Sequence, residues 1–292
     1  MAKAPVNMAA SVKQRLLNLA RSEGRVYDVV LVRYALERLL YRLSISAHRS
    51  SFILKGGMLV TLWLESTSRE TRDADFLGHG NSDPEHLQKV FAEVLSIDAG
   101  DGLIFDTANL KTTTIREDME YGGVRLRADV HLERSRIPIM IDIGFGDALA
   151  DSARTMAYPS MLGMEEPEIW IYPPASVIAE KFQAMVALGA ANGRMKDYFD
   201  LWAIPRALEI APEELDAAIS ATFGRRGTAV PAERPPGLSD AMLTHAKQAQ
   251  WRAYAASLDL KGLAFEEVID AAWYLVGPSC ERLSGAKSPL VR

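Results

Sequence analysis

Residues 51–77 read SFILKGGMLVTLWLESTSRETRDADFL, and this stretch decides the fold. Residues 51–55 form a short apolar run, which predicts a strand, and the pair Gly56-Gly57 after it predicts a turn. The apolar segment 58–64 has the length and composition of a helix, and residues 72–77 predict a second short strand. The order strand, glycine turn, helix, strand indicates a mixed α/β arrangement.

The sequence on either side of this stretch has helical and strand periodicity in turn. Apolar residues at helical spacing predict two packing helices before it, at 11–21 and 27–43, and one after it, at 83–96. Residues 102–146 predict a strand meander, and no strand is predicted after Gly146. Five helices are predicted in the rest of the chain, at 175–188, 196–208, 212–223, 240–258 and 265–276.

Together these elements predict an α+β fold. A mixed sheet flanked by helices is followed by a mainly helical C-terminal domain. A proline-containing stretch, residues 158–174, links the two parts. We therefore place one domain at 1–157 and the other at 158–292.

The composition is that of an ordinary globular chain: of 292 residues, 48% are hydrophobic and 24% are charged. No apolar run has the length of a signal peptide or of a bilayer-crossing helix, so we predict a cytoplasmic protein that does not bind a membrane. The single cysteine, Cys280, excludes an internal disulfide and favours a reducing compartment. Because the formal net charge is −5, nucleic-acid binding would depend on a local basic surface.

Three aspartates are candidates for a metal site. Asp73 and Asp75 lie two residues apart on a predicted strand, so both side chains face the same way and reach the same cation. Asp142 interrupts strand 137–145, which is otherwise apolar on both sides, and therefore needs a reason to be there. Three carboxylates are the ligand set of a two-magnesium phosphoryl-transfer site. The alternative for Asp73 and Asp75 is a pair of surface carboxylates without a ligand.

The segment Lys55-Gly56-Gly57 stands at the predicted junction of strand and helix, a short distance before the acidic pair. Glycines at such a junction let a phosphate approach the backbone N–H groups, which would place a phosphate beside the metal. The alternative is a tight turn that needs a positive φ.

With these motifs the sequence resembles the DNA polymerase beta-like nucleotidyltransferases and, among them, the AbiEii-type toxins of type IV toxin-antitoxin systems. Many members of the wider superfamily carry Gly-Ser where this chain has Gly56-Gly57, so one hydroxyl contact to a phosphate is missing here. The matching segments appear in the expected order: FILKGGML at 52–59, TRDADF at 71–76, IDIGF at 141–145, AEKF at 179–182 and RMKDYFDL at 194–201.

The resemblance implies a metal-dependent nucleotidyltransferase with a nucleotidyltransferase-like sheet. Two Mg²⁺ ions, held by the three aspartates, would bind an NTP, and Lys55, Gly56, Gly57 and Lys181 would contact its phosphates. Either Asp75 or Asp142 could be the base. The resemblance implies that the acceptor is RNA, at the 3′ end of tRNA, that growth arrest is the outcome, and that the antitoxin forms no stable complex with the toxin. The alternatives are nucleotidylation of a small molecule or a protein, and a non-catalytic module that binds and sequesters GTP.

Two later segments place charged residues on the apolar sides of helices. Lys181 shares a helix face with apolar residues, and the resemblance implies that it contacts a nucleotide phosphate; the alternatives are a snorkelling lysine and a buried ion pair. Asp197 and Asp200 also face inward. They would orient Lys181 or position the acceptor, and the resemblance implies that Asp200 matters for activity. The alternative is a structural salt bridge to Lys181 or Arg194.

The helical half also carries a basic stretch that could hold an RNA backbone. The alternative is a solvated charged face. The candidate residues are Arg194, Lys196, Arg206, Arg225 and Arg226.

Overall fold

The structure is a computed structural model that describes residues 7–64, 71–115, 122–147, 149 and 153–285. Its contacts divide the chain into two compact units. The first comprises Met1–Leu59, Glu70–Gly146 and Arg154–Ile171, and the second comprises Val60–Arg69, Asp147–Ala153 and Tyr172–Arg292. The domain assignment 1–157 and 158–292 stays a prediction.

The first unit contains a mixed sheet, to which eight strands of the described residues contribute. The spatial order is β3-β5-β6-β2-β1-β8-β7, and β4 also pairs with β5. β2 runs parallel to β6, and β1 runs parallel to β8, whereas the other pairs are antiparallel. This mixed sheet confirms the α+β prediction. The strands are β1 (Phe52–Lys55), β2 (Asp73–Gly78), β3 (Ile104–Phe105), β4 (Lys111–Ile115), β5 (Gly123–Leu132), β6 (Ser135–Phe145), β7 (Arg154–Ala157) and β8 (Glu168–Ile171).

Helices pack against this sheet in the first unit. They are α1 (Met8–Ser22), α2 (Tyr27–Ser44) and α4 (Pro84–Leu95), and α3 (Gly57–Trp63) follows the glycine turn. These helices agree with the predictions at 11–21, 27–43, 58–64 and 83–96. α2 packs on β6 and β8, because its apolar side chains are buried there. Phe52, Phe76 and Phe91 form an aromatic cluster between β1, β2 and α4.

In the hairpin of β5 and β6, one face of the sheet is buried and the other, called the wet face below, is partly exposed to solvent. Along β5 the apolar residues are buried, whereas Arg125, Arg127, Asp129 and His131 are half-buried or exposed, as alternation predicts. On β6, Asp142 lies on this same wet face, because it pairs with Arg125 in the sheet register. The face of β6 that carries Met140, Asp142 and Gly144 is apolar apart from Asp142, as the sequence shows, but it is partly exposed.

Two strands follow Gly146, which corrects the prediction that the strands stop there. β8 adds to the sheet beside β1, and β7 pairs with β8 at the sheet edge. Each has only four residues, and prolines at 167, 173 and 174 flank β8. Segments this short have no clear period, so their strand state depends on tertiary pairing.

The second unit is mainly helical, as predicted for the C-terminal part. The prediction of one helix at 240–258 is wrong, because residues Asp240–Met242 form a separate 3₁₀ turn and the Thr244 side chain caps the N-terminus of the next helix. None of the helices in the described residues is long and apolar enough to cross a membrane. The helices are α5 (Pro174–Leu188), α6 (Met195–Ala207), α7 (Pro212–Arg225), α8 (His245–Ser257) and α9 (Phe265–Gly285).

A buried charge cluster ties α2 to the loop before β3. Asp101 accepts hydrogen bonds from Arg38 Nε at 3.0 Å and from both terminal nitrogens of Arg42, at 2.6 and 3.0 Å. All three residues are 1% exposed. Burial acts to raise the pKa of Asp101, but hydrogen bonds and charge from Arg42 and Arg38 outweigh it and lower this pKa.

Replacing Asp101 by Asn should cost about 3–5 kcal/mol of unfolding free energy at pH 7, because two buried guanidinium groups lose their counter-charge. Because the pKa of Asp101 is lowered in the folded protein, its carboxylate stabilises the fold fully above the unfolded-state pKa near 3.9. This stabilisation disappears as the pH falls through the folded-state pKa. Urea titrations at pH 7 and in acid should therefore show that the difference in unfolding free energy between wild type and Asp101→Asn becomes smaller below about pH 4.

The matched control is Asp129→Asn, which breaks a more exposed pair with Arg136 and should cost under about 1 kcal/mol. Equal costs for the two variants would contradict the assigned role of Asp101.

Candidate active site

The three predicted aspartates come together on the wet face of the sheet. The parallel register of β2 and β6 places Asp75 directly opposite Asp142, and Asp73 lies two residues before Asp75, on the same face. Each residue offers a carboxylate oxygen, and these oxygens all lie within 4.8 Å of one another. Asp73, Asp75 and Asp142, called the acidic triad below, can therefore ligate one cation together.

Asp75 is strongly perturbed by its surroundings. Burial, the largest cause, and the neighbouring charges of Asp73 and Asp142 raise its pKa to about 6, against the Gly57 N–H and Lys55, which act to lower it. Crowded anions repel one another, so a bound cation would relieve the repulsion. The donor set and its spacing thus fit a divalent metal such as Mg²⁺.

The glycine turn is built around the Asp75 carboxylate. Gly56 has φ +68°, in the left-handed region, and a Cβ at this position would lie 2.1 Å from Asp75 Oδ2. The Gly57 N–H donates a hydrogen bond to the same oxygen at 3.3 Å. Lys55 pairs with Asp75 in the sheet register. Glycine is therefore required at position 56 both by the turn and by the close approach to Asp75.

Arg125 is a site residue that the sequence analysis missed. Its Nε and one terminal nitrogen donate to the two oxygens of Asp142, at 2.7 and 2.6 Å. This hydrogen-bonded pair raises the pKa of Arg125. The signal was present in the alternation of β5, but only the register of β5 against β6 shows which carboxylate Arg125 faces. The triad is also held at its other end, where the Thr71 hydroxyl donates to Asp73.

Lys181, Asp197 and Asp200 form a second cluster, in the helical unit. Lys181 Nζ lies 2.7 Å from Asp197 Oδ1 and 2.7 Å from Asp200 Oδ2, and both carboxylates are fully buried. Asp197 also pairs with Arg194 at 2.6 Å. Burial acts to raise the pKa of Asp197, but the charges of Lys181 and Arg194 lower it, so this carboxylate is ionised at neutral pH. The predicted inward orientation of all three residues is confirmed.

The five basic residues predicted to contact RNA have different surroundings. Arg226 is mostly buried, donates to Gln183 and lies 3.5 Å from Asp147. Arg206 stacks over the Trp202 ring at 4.3 Å. Arg194 is half-exposed beside Asp197. Lys196 and Arg225 are exposed.

A mixed sheet that carries an acidic triad beside a glycine turn agrees with the nucleotidyltransferase class. Residues 38–271 match the family model described as nucleotidyl transferase AbiEii toxin, type IV TA system. The chain therefore belongs to the AbiEii family of nucleotidyltransferase toxins. The matched range includes every site residue discussed above, and it confirms the resemblance drawn from the sequence.

Two solved structures from Helicobacter pylori resemble this chain. A candidate nucleotidyltransferase is 14% identical with a TM-score of 0.48, over 87% of this chain and 96% of that one. The protein JHP933 is 15% identical with a TM-score of 0.43, over 86% of this chain and 92% of that one. No curated protein matches the chain.

Gly56→Ala should weaken Mn²⁺ binding at least about tenfold, because the new Cβ displaces Asp75, a direct metal ligand. Loss of a residue that only orients a metal ligand typically lowers metal affinity about 10- to 100-fold. The matched control is Gly24→Ala, at a glycine with φ +64° where an added Cβ would meet no atom within 4 Å. Gly24→Ala should lower the free energy of unfolding by only about 1–2 kcal/mol, because alanine is strained in the left-handed region, and it should leave Mn²⁺ binding intact. Titration calorimetry measures the binding, and equal Mn²⁺ affinities for the two variants would contradict this steric account.

Proposed function

We propose that the protein transfers NMP from an NTP to the terminal hydroxyl of a tRNA 3′ end, and that this modification arrests growth by blocking translation. The observation that carries the proposal is the convergence of Asp73, Asp75 and Asp142 on one sheet face beside the glycine turn. Membership of a toxin-antitoxin family supports the toxin role and an antitoxin as partner, one that we propose acts without a stable complex.

In the proposed reaction the acceptor hydroxyl attacks the α-phosphorus of the NTP. A bond forms between that oxygen and the α-phosphorus while the hydroxyl proton passes to Asp75 or Asp142, the bond to the β-phosphate oxygen breaks, and pyrophosphate leaves. Two Mg²⁺ ions, when bound, supply charge that offsets the triphosphate and acidifies the acceptor hydroxyl. Asp73, Asp75 and Asp142 would hold these ions.

The glycine turn supports a phosphate site next to the triad. Gly56 and Gly57 have no side chains to obstruct a phosphate. Because α3 has only seven residues, we assign phosphate binding to the backbone N–H groups rather than to a long helix dipole. Lys55 adds a positive charge at the end of β1.

The cluster around Lys181 supports a positioned cation. Asp197 and Asp200 hold the Lys181 ammonium group from two sides. We propose that Lys181 contacts the triphosphate and that Asp200 and Asp197 position it. Lys196 and Arg225, with Arg194, Arg206 and Arg226 as weaker candidates, would contact the RNA outside the acceptor end.

In the presence of Mg²⁺, the wild-type protein should transfer label from one preferred α-³²P-labelled NTP to tRNA. Asp75→Ala should reduce this transfer at least about a hundredfold, because it removes a direct metal ligand. The control Asp98→Asn neutralises an exposed carboxylate but retains the oxygen that accepts from the Gly100 N–H, and it should be fully active. Each of the four NTPs is assayed with total tRNA.

The other outcomes of this assay are informative. Label on a small molecule or on protein, with none on tRNA, would reject the RNA acceptor but keep the chemistry. NTP binding without pyrophosphate release would reject transfer and favour a GTP-sequestering module.

A further inference from the structure

A cleft of about 940 Å³ lies on the first unit, next to the acidic triad. Its walls come from β5 and β6, from α2 and from Arg72 and Lys111, and it is called the β5–β6 cleft below. This volume is at the upper end of the roughly 300–1,000 Å³ typical of ligand sites. Nothing in the metal chemistry proposed above uses it.

The sheet register makes the cleft continuous with the triad. Met140 lines the cleft and is the register partner of Asp73 on one side and of Arg127 on the other. Arg127 is two residues from Arg125, which binds Asp142, so it stands about 7 Å further along the same strand face. A ligand in the cleft can therefore reach the triad with one end.

The strand order separates this cleft from the glycine turn, the proposed site of the NTP that donates the nucleotide. The glycine turn follows β1, on one side of β2, whereas Arg127 and Lys111 lie on β5 and β4, beyond β6. The triad occupies β2 and β6, between the two. A donor bound at the glycine turn would leave the β5–β6 cleft to the second substrate.

The charges of the cleft point to an anionic ligand. Lys111 and Arg127 face each other across β4 and β5, an arrangement of like charges that destabilises a sheet unless an anion lies between them. Within the described part of the chain, neither of these residues nor Arg72 forms an ion pair, and all three are exposed.

Three carboxylates also line the cleft: Asp129 pairs with Arg136 at 2.8 Å, Asp106 accepts hydrogen bonds from Asn109, and the third is Asp28. The four lysine and arginine side chains of the cleft outnumber these three carboxylates by one.

The apolar part of the cleft points to a nucleic acid rather than to a simple anion. On the polar face of β6, Met140 is partly exposed opposite Arg127, and Pro138 is exposed opposite Asp129. Alternating cationic and apolar contacts suit a single strand, whose phosphates bind the cations while its bases pack on apolar side chains. A free phosphate would use only the cations.

We infer that the β5–β6 cleft binds the single-stranded 3′ end of the acceptor RNA, with Lys111 and Arg127 on its phosphates and Met140 under a base. This inference rests on the proposed function, because the RNA is an acceptor only if the protein transfers a nucleotide to it. It places the RNA end on the first unit.

The test measures binding of a 5′-fluorescein-labelled, eight-nucleotide single-stranded RNA by anisotropy, over a series of salt concentrations. The variant Lys111→Gln/Arg127→Gln should bind at least about tenfold more weakly than wild type. The slope of log affinity against log salt should become shallower by about 1.4, since each lost phosphate contact on a single strand contributes about 0.7.

The matched control Lys89→Gln/Arg134→Gln removes the same charge from exposed positions outside the cleft. It should bind the RNA like wild type, and the charge-retaining variant Lys111→Arg/Arg127→Lys should restore most of the affinity. All variants should bind NTP equally, which also shows that they are folded. Equal loss in the neutralised variant and the control, or no RNA binding by wild type, would overturn the inference.

The assay does not depend on turnover. If wild type transfers no nucleotide but the cleft variant alone loses RNA affinity, the proposed reaction fails and the cleft stands as an RNA site. If transfer occurs and the cleft variant keeps both its RNA affinity and its KM for RNA, the cleft inference fails and the reaction stands.

Discussion

The parallel pairing of β2 with β6 is the constraint on which the site depends. It brings Asp75 opposite Asp142, although 67 positions separate them in the chain. Three carboxylates at this spacing repel one another, and burial together with this repulsion raises the pKa of Asp75. The buried apolar side chains of β2 and β6 offset this cost, so the fold keeps together a group of charges that would otherwise separate.

The surroundings of the triad differ on its two sides. Toward β1, Gly56 and Gly57 bring the backbone against Asp75 and leave no side chain in the way. Toward β5, Arg125 binds both oxygens of Asp142. The arginine balances part of the negative charge when no cation is present, and it must share Asp142 once a metal binds. Donor and acceptor are thus expected on opposite sides of one charged centre.

Much of this fold and site could be predicted from the sequence, because the informative signals are local. Alternation along β5 and the two-residue spacing of Asp73 and Asp75 follow directly from strand geometry. Arg125 and the β5–β6 cleft could not be predicted, because they depend on the register between strands. β8 was missed because four residues between prolines carry no period, and the 3₁₀ turn before Thr244 was missed because capping interrupts an otherwise helical pattern.

Whether Asp73, Asp75 and Asp142 hold a divalent cation together is best measured on crystals soaked in Mn²⁺, with diffraction recorded at the manganese absorption edge. We expect an anomalous peak in contact with oxygens of all three carboxylates, at roughly 2.0–2.3 Å, with Arg125 displaced from at least one Asp142 oxygen. A fully occupied manganese site elsewhere on the protein, with no peak between these carboxylates and Arg125 still bound to both oxygens, would contradict it.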